Sequence, residues 1–100
     1  MRVLVILEWD NPKDEERLKK YYGLPRADSE YMQAAMKGLC RATIWTDGTG
    51  HNVETQEFES MEDFAKLWGD DEYHRGFVRV CRTVDNASRR IMREAISVPL

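Results

Sequence analysis

His74 is the side chain of this 100-residue sequence most directly suited to handling a proton. An imidazole titrates near neutral pH without help, so it can take or give a proton where most other groups need their pKa shifted first. Three Trp and four Tyr are present. Of these, Trp68, Tyr22 and Trp9 are the candidates for lining a pocket around a flat ligand, with Tyr21 and Trp45 in reserve. Aromatic rings are also ordinary packing residues, and each could equally lie in a core or an interface. Gln56 completes the candidate set. It stands in the stretch His51–Glu59, which has only Val53 and Phe58 as apolar members. A buried amide or carboxyl there must be hydrogen-bonded, and a desolvated carboxyl would have a raised pKa.

Other chemistries find less support. Asp70 and His74 are four apart, on one helical face, but two groups do not make a metal site, and His51 is the only other imidazole. No metal is expected, and Asp70 and Asp71 read as helix-capping acids. Cys40 and Cys81 form no CxxC pair and read as core or near-core thiols. From His74 onward six Arg stand against Asp85 and Glu94. Arg75, Arg79 and Arg82 share one helical face, expected to be solvated and to pair with the acidic first helix. The formal net charge of −3 argues against nucleic acid as a partner. No apolar run is long enough for a membrane span or a leader core, so no membrane partner and a cytoplasmic location are expected.

The elements that must position these groups follow from the apolar spacing. Arg2–Trp9 is a β-branched run that is apolar on both faces, and so a strand covered on both sides. Asn11 and Pro12 can open a helix carrying Leu18, Tyr21 and Tyr22, interrupted at Gly23-Leu24-Pro25. A second helical stretch from Asp28 or Ser29 puts Met32, Ala35, Met36 and Leu39 in one stripe, ended by Gly38. Leu39–Thr46 and His51–Glu59 are strands joined by an Asp47-Gly48 turn. Ser60 to Asp63 is a capping box for a helix with Met61, Phe64, Ala65 and Trp68 inward. A further helix carries Tyr73, Phe77, Val80, Cys81 and Val84, and Ala87–Val98 is the last extended run. On the third strand Gln56 and Phe58 should face the helices. Gln56 and Glu57 are expected to be partly buried, and Asn52 and Glu54 to lie in solvent.

The order βαββαβ in residues 1–100 specifies a single α+β domain. Its expected form is a ferredoxin-like antiparallel sheet with the helices on one face. The doubly apolar first strand would then leave an apolar open face. A second copy is the economical cover, so a homodimer is expected.

The strand Val3–Trp9, the run Glu57-Phe58-Glu59-Ser60-Met61-Glu62-Asp63-Phe64, the segment Trp68-Gly69-Asp70-Asp71-Glu72-Tyr73-His74-Arg75 and the ending Val98-Pro99 together resemble the dimeric α+β-barrel superfamily. The branch resembled is that of the antibiotic-biosynthesis-monooxygenase-like domains. The resemblance implies a cofactor-free enzyme or binder for an aromatic or polyketide-like ligand, with a pocket between sheet and helices. His74 would be the catalytic base, and Trp68, Tyr22, Gln56 and Trp9 would be the lining. The haem-degrading branch of that superfamily is not matched: Asn11 follows the first strand, and the Trp68–His74 spacing is too short. The alternative is a non-catalytic ligand-binding or assembly module of the same fold.

Overall fold

A computed structural model describes residues 1–23 and 38–99. In chain order the described elements are β1 (Val3–Asp10), α1 (Glu15–Tyr22), β2 (Arg41–Thr46), β3 (His51–Phe58), α2 (Met61–Trp68), α3 (Asp71–Thr83) and β4 (Asp85–Arg93). The expected stripe of Met32, Ala35 and Met36 falls outside the described residues. The four strands form one antiparallel sheet in the order β2-β3-β1-β4. With the helices packed on one face, this is the ferredoxin-like α+β fold, and β1 and β3 take the two central places.

Register fixes what each strand offers to the helices. Val3, Val5, Leu7 and Trp9 pair with Phe58, Gln56, Glu54 and Asn52, and side chains of paired residues share a face. Val3, Val5 and Phe58 are almost fully buried and meet Leu67 of α2 and Tyr73 of α3. The opposite face carries Leu4 and Ile6 of β1, Val53 of β3, Trp45 of β2 and Met92 of β4.

Local chemistry sets the helix starts. Ser60 Oγ accepts from the Asp63 N–H at 3.1 Å, opening α2 as its capping box requires. Asp70 caps α3 through the Glu72 N–H at 2.9 Å. In α1 the cap is Asp14, whose carboxylate accepts from the Arg17 N–H at 3.0 Å. Asn11 and Pro12 therefore precede the helix instead of opening it, and Asn11 is engaged elsewhere, its N–H donating to Gly50 O at 2.7 Å.

Several expectations are corrected. Leu67 is the buried residue of α2, and Phe64 and Trp68 pack against the core as expected, while Met61 and Ala65 are exposed. The eight-residue helix, ended at Gly69, rests on the core through Phe64, Leu67 and Trp68. Cys81 is exposed, and only Cys40 is near the core. β4 ends at Arg93. Beyond it Glu94 N–H donates to Arg2 O at 2.9 Å, and Ile96 and Val98 stand largely in solvent. Arg75 and Arg79 approach Glu72 of their own helix, at 2.7 and 3.7 Å.

Candidate functional site

The polar third strand delivers its side chains to the helix face as a connected chain. Gln56 is 3% exposed, opposite Val5 on the central strand. Its amide is held at both ends: Tyr73 O–H of α3 donates to Gln56 Oε1, and Gln56 Nε2 donates to Glu54 Oε2. An amide that lost either partner would bear the full desolvation cost of a buried polar group. Burial holds the Glu54 carboxyl above the usual carboxylate range, against the lowering effect of the Gln56 bond. Burial also pushes the Tyr73 phenol well up. The Cys40 thiol beside them rises to about 11, chiefly by desolvation and further by Glu54, so it is not a ready nucleophile.

Arg89 of β4 enters the same layer from the other side of β1. Its Cζ lies 4.2 Å from the Phe77 ring centre, 4.5 Å from Trp68 and 5.8 Å from Tyr73. Cation–π attraction accounts for the stacking. Its Nη1 is buried with no hydrogen-bond partner. A guanidinium N–H left unpaired in a desolvated place is costly and ready to receive an anionic oxygen.

His74 follows Tyr73 on α3. Its ring meets Trp68 edge-on at 4.8 Å between centres and Tyr73 at 5.3 Å. His74 Nε2 is 2.6 Å from the Trp68 backbone oxygen. A carbonyl only accepts, so Nε2 carries a hydrogen, and in the neutral ring the lone pair is on Nδ1.

Thus the fold brings His74, Trp68 and Gln56 together around Tyr73. Trp9 lies further along the same sheet face, 7% exposed, with its indole N–H donating to Tyr21 Oη at 3.2 Å. Tyr22 is not brought to this group: it is 73% exposed and lines an open cleft with Asp10, His51 and Asn86. Three further expectations are reversed. Asn52 is buried, because its amide finds Asn11 Oδ1 at 2.8 Å and Gly50 O at 3.3 Å. Glu57 is exposed, because it alternates to the face away from the helices, while Glu54 is partly buried. Sequence reasoning missed Arg89 as a site residue and read Tyr73 only as packing. Among the described residues no group of three His, Cys, Asp or Glu is placed to hold a metal.

At the cleft, His51 Nδ1 is 2.7 Å from Asp10 Oδ1, and Nε2 is 3.7 Å from Glu8. The Asp10 bond holds the His51 imidazolium above its ordinary range. Asp10 is held below its own by Asn86 and then by His51. The raised His51 pKa contributes stability in full below the unfolded value of 6.5, lost as pH rises through the folded value. The lowered Asp10 pKa contributes above the unfolded 3.8, lost as pH falls through its folded value. Thermal unfolding of His51→Gln is therefore expected to show a lower Tm than the parent in acidic buffer below the unfolded value, with the gap closing in alkaline buffer above the folded value. An equal gap at both would contradict the pairing.

No family model matches the sequence, and no curated protein is similar enough to count as a relative. Solved structures do match. The chain superposes on Rv0793 from Mycobacterium tuberculosis with a TM-score of 0.67 at 14% identity, covering 99% of this chain and 100% of that one. It is similar to SnoaB from Streptomyces nogalater, described as a cofactor-independent oxygenase, with a TM-score of 0.63 at 9% identity, covering 99% of this chain and 98% of that one. An antibiotic biosynthesis monooxygenase gives 0.62 at 14% identity over 96% of this chain and all of the other. At such identities the likeness establishes the fold.

Proposed function

Taking as premise that the chain has the fold of antibiotic-biosynthesis-monooxygenase-like, dimeric α+β-barrel proteins, we propose that it is a cofactor-free oxygenase for a small aromatic or polyketide-like substrate. It would work as a homodimer in the cytoplasm, with its site in the layer between sheet and helices. The observation that carries the reading is the buried, unpartnered Nη1 of Arg89 among Trp68, Phe77 and Tyr73. That group suits an aromatic substrate whose oxygen becomes negative during reaction. Trp68 and Gln56 line the site, and Trp9 closes the sheet beside it. His74 handles the proton of a substrate hydroxyl through Nδ1, its ring fixed by the Trp68 carbonyl. Tyr22, on the separate cleft, serves there as an accessory contact.

The chemistry needs only dioxygen as co-reactant. Deprotonation makes the aromatic electron-rich, electron transfer to dioxygen and radical coupling form a hydroperoxide, and loss of water leaves a quinone carbonyl. The sum is CH2 plus O2 giving C=O plus H2O. A panel of anthrones and naphthols in air, followed with an oxygen electrode, tests it. Uptake above the uncatalysed rate is expected for at least one member. Binding without uptake across the panel would favour the non-catalytic ligand-binding alternative.

The open sheet face supports the homodimer. Trp45 and Met92 are 62% and 51% exposed there, beside Leu4, Ile6 and Val53, an apolar area that a lone soluble chain rarely leaves bare. Sedimentation equilibrium at micromolar concentration is expected to give a dimer, and Ile6→Glu to give a monomer or an unfolded chain. A parent protein that stays monomeric would contradict the pairing. No helix among the described residues is long and apolar enough to cross a membrane.

A further inference from the structure

Away from the helix–sheet layer, an open cleft of about 470 Å³ lies where β1 ends and β3 and β4 begin. That volume falls in the range of small-ligand sites. The two carboxylates lining it are already engaged. Asp10 Oδ1 takes the His51 Nδ1–H at 2.7 Å, and its Oδ2 takes an Asn86 Nδ2–H at 2.8 Å. Asn86 delivers that bond from a left-handed backbone, φ 55°, which Asn tolerates better than most residues. Asp85 Oδ1 is held by Arg17 at 2.7 Å, and its Oδ2 by the Lys13 N–H at 3.2 Å. These donors hold both acids below the ordinary carboxylate range. The cations are less fully engaged. Among the described residues Lys13 Nζ joins no ion pair, and the Tyr22 hydroxyl makes no hydrogen bond. His51 Nε2 is 3.7 Å from Glu8, outside hydrogen-bond reach, and Glu8 is drawn toward Arg90 at 3.3 Å. The charged groups left over are thus donors. Pro12, Leu18 and Tyr22 give the same cleft an apolar wall.

We propose that this cleft is a second ligand site, which binds a small aromatic monoanion of the benzoate class. The ring lies against Tyr22 and Leu18, and the carboxylate takes hydrogens from Lys13 Nζ and His51 Nε2. The site is separate from the helix–sheet layer and does not rest on the oxygenase reading. A monoanion suits the local charge. Lys13 and protonated His51 balance Asp10 and Asp85, so a dianion would set its second charge against those carboxylates. A cation would meet acids whose oxygens already hold donors.

Binding then follows the protonation of His51, which Asp10 keeps charged above the ordinary imidazole range. The acids facing His51 are Asp10 and Glu8 of β1 and Asp47 of the β2–β3 turn, and all three favour the charged ring. Lys13, ahead of α1, acts on Asp10, and Arg90 of β4 acts on Glu8. An anion at Nε2 adds to the same effect. Ligand and proton therefore strengthen each other's binding, and the coupling is reciprocal.

The two imidazoles of the chain report the two regions separately, His51 in the cleft and His74 in the layer. In an NMR titration with benzoate the His51 ring signals are expected to move to saturation, with a Kd of about 1 mM or tighter. The His74 signals should stay where they are. Lys13→Gln should weaken binding about 3–10-fold, the loss of one charge-assisted bond in a partly screened place. The parent's affinity should fall as pH rises through the His51 titration. In His51→Gln it should be weaker and flat over that range. Saturating benzoate should raise the midpoint of the His51 titration. Acetate, benzylamine and phenyl phosphate should each bind less tightly than benzoate, for want of a ring, of a negative charge and of a single charge respectively. Benzoate that moves only the His74 signals, or neither set, would overturn the site. Undiminished affinity in Lys13→Gln, or tighter binding of benzylamine or phenyl phosphate, would overturn the ligand class. Oxygen uptake plays no part in these readouts, so the oxygenase reading stands or falls apart from them.

Discussion

Replacing Arg89 with Gln is expected to lower turnover of an anthrone-type substrate by about 10²–10³-fold, the usual consequence of removing one donor aimed at a developing oxyanion. The effect should fall on kcat more than on KM, since the donor is worth most when the charge is fully formed. Stability should change little, because two terms oppose each other. The variant loses stacking on Phe77 and Trp68, about 0.5–2 kcal/mol for such contacts. It also removes a buried N–H with no partner, a relief of about 1–3 kcal/mol. Arg89→Lys should recover only part of the rate, because an ammonium keeps the charge but not the flat, directed donors. Steady-state oxygen uptake and thermal unfolding on the same preparations separate the two effects. An unchanged rate with a lowered Tm would make Arg89 a packing residue.

Phe58→Ala is expected to cost about 3–5 kcal/mol, the range for truncating a fully buried Phe. Phe58 is 1% exposed, lies opposite Val3 in the central strand pair, and meets Phe64 edge-on with ring centres 5.5 Å apart. Phe64 stacks on Trp68, and Trp68 adjoins Tyr73 and His74. A cavity at Phe58 would therefore loosen the rings that carry the site. For a domain of this size the loss corresponds to a Tm lower by roughly 15–30 °C. Urea unfolding of Phe58→Ala beside the exposed Met61→Ala checks it. The second change should cost under about 1 kcal/mol, and equal costs would contradict the placement of the core.

What the sequence made legible was mostly what periodicity can carry. The doubly apolar β1 and the strand–helix order specify the sheet, and Phe58 was expected inward because it leads directly into α2. Trp68, His74 and Gln56 were singled out by residue type, and the fold gathers them. Arg89 was hidden because an Arg near the end of a chain reads as solvated. Only the register with Leu7 shows that it alternates inward while Arg90 turns out to meet Glu8. Glu54 and Asn52 were expected in solvent because polarity alone cannot reveal a partner distant in sequence. Asn11, from another part of the chain, makes the burial of Asn52 tolerable, and Gln56, itself held by Tyr73 of α3, does the same for Glu54. Tyr22 failed to join His74 for the converse reason: α1 turns its last residues toward the cleft, and spacing within one helix says nothing about which end of the sheet it overlies.

In the proposed reaction the helix–sheet layer inserts one atom of dioxygen into an aromatic substrate without a cofactor. Turnover of anthrone by the purified protein under ¹⁸O₂, with mass spectrometry of the product, tests it most directly. Anthraquinone is expected to form faster than in buffer, carrying one labelled oxygen, with the second label in water. Product formed no faster than in buffer, or a new carbonyl without label, would contradict it.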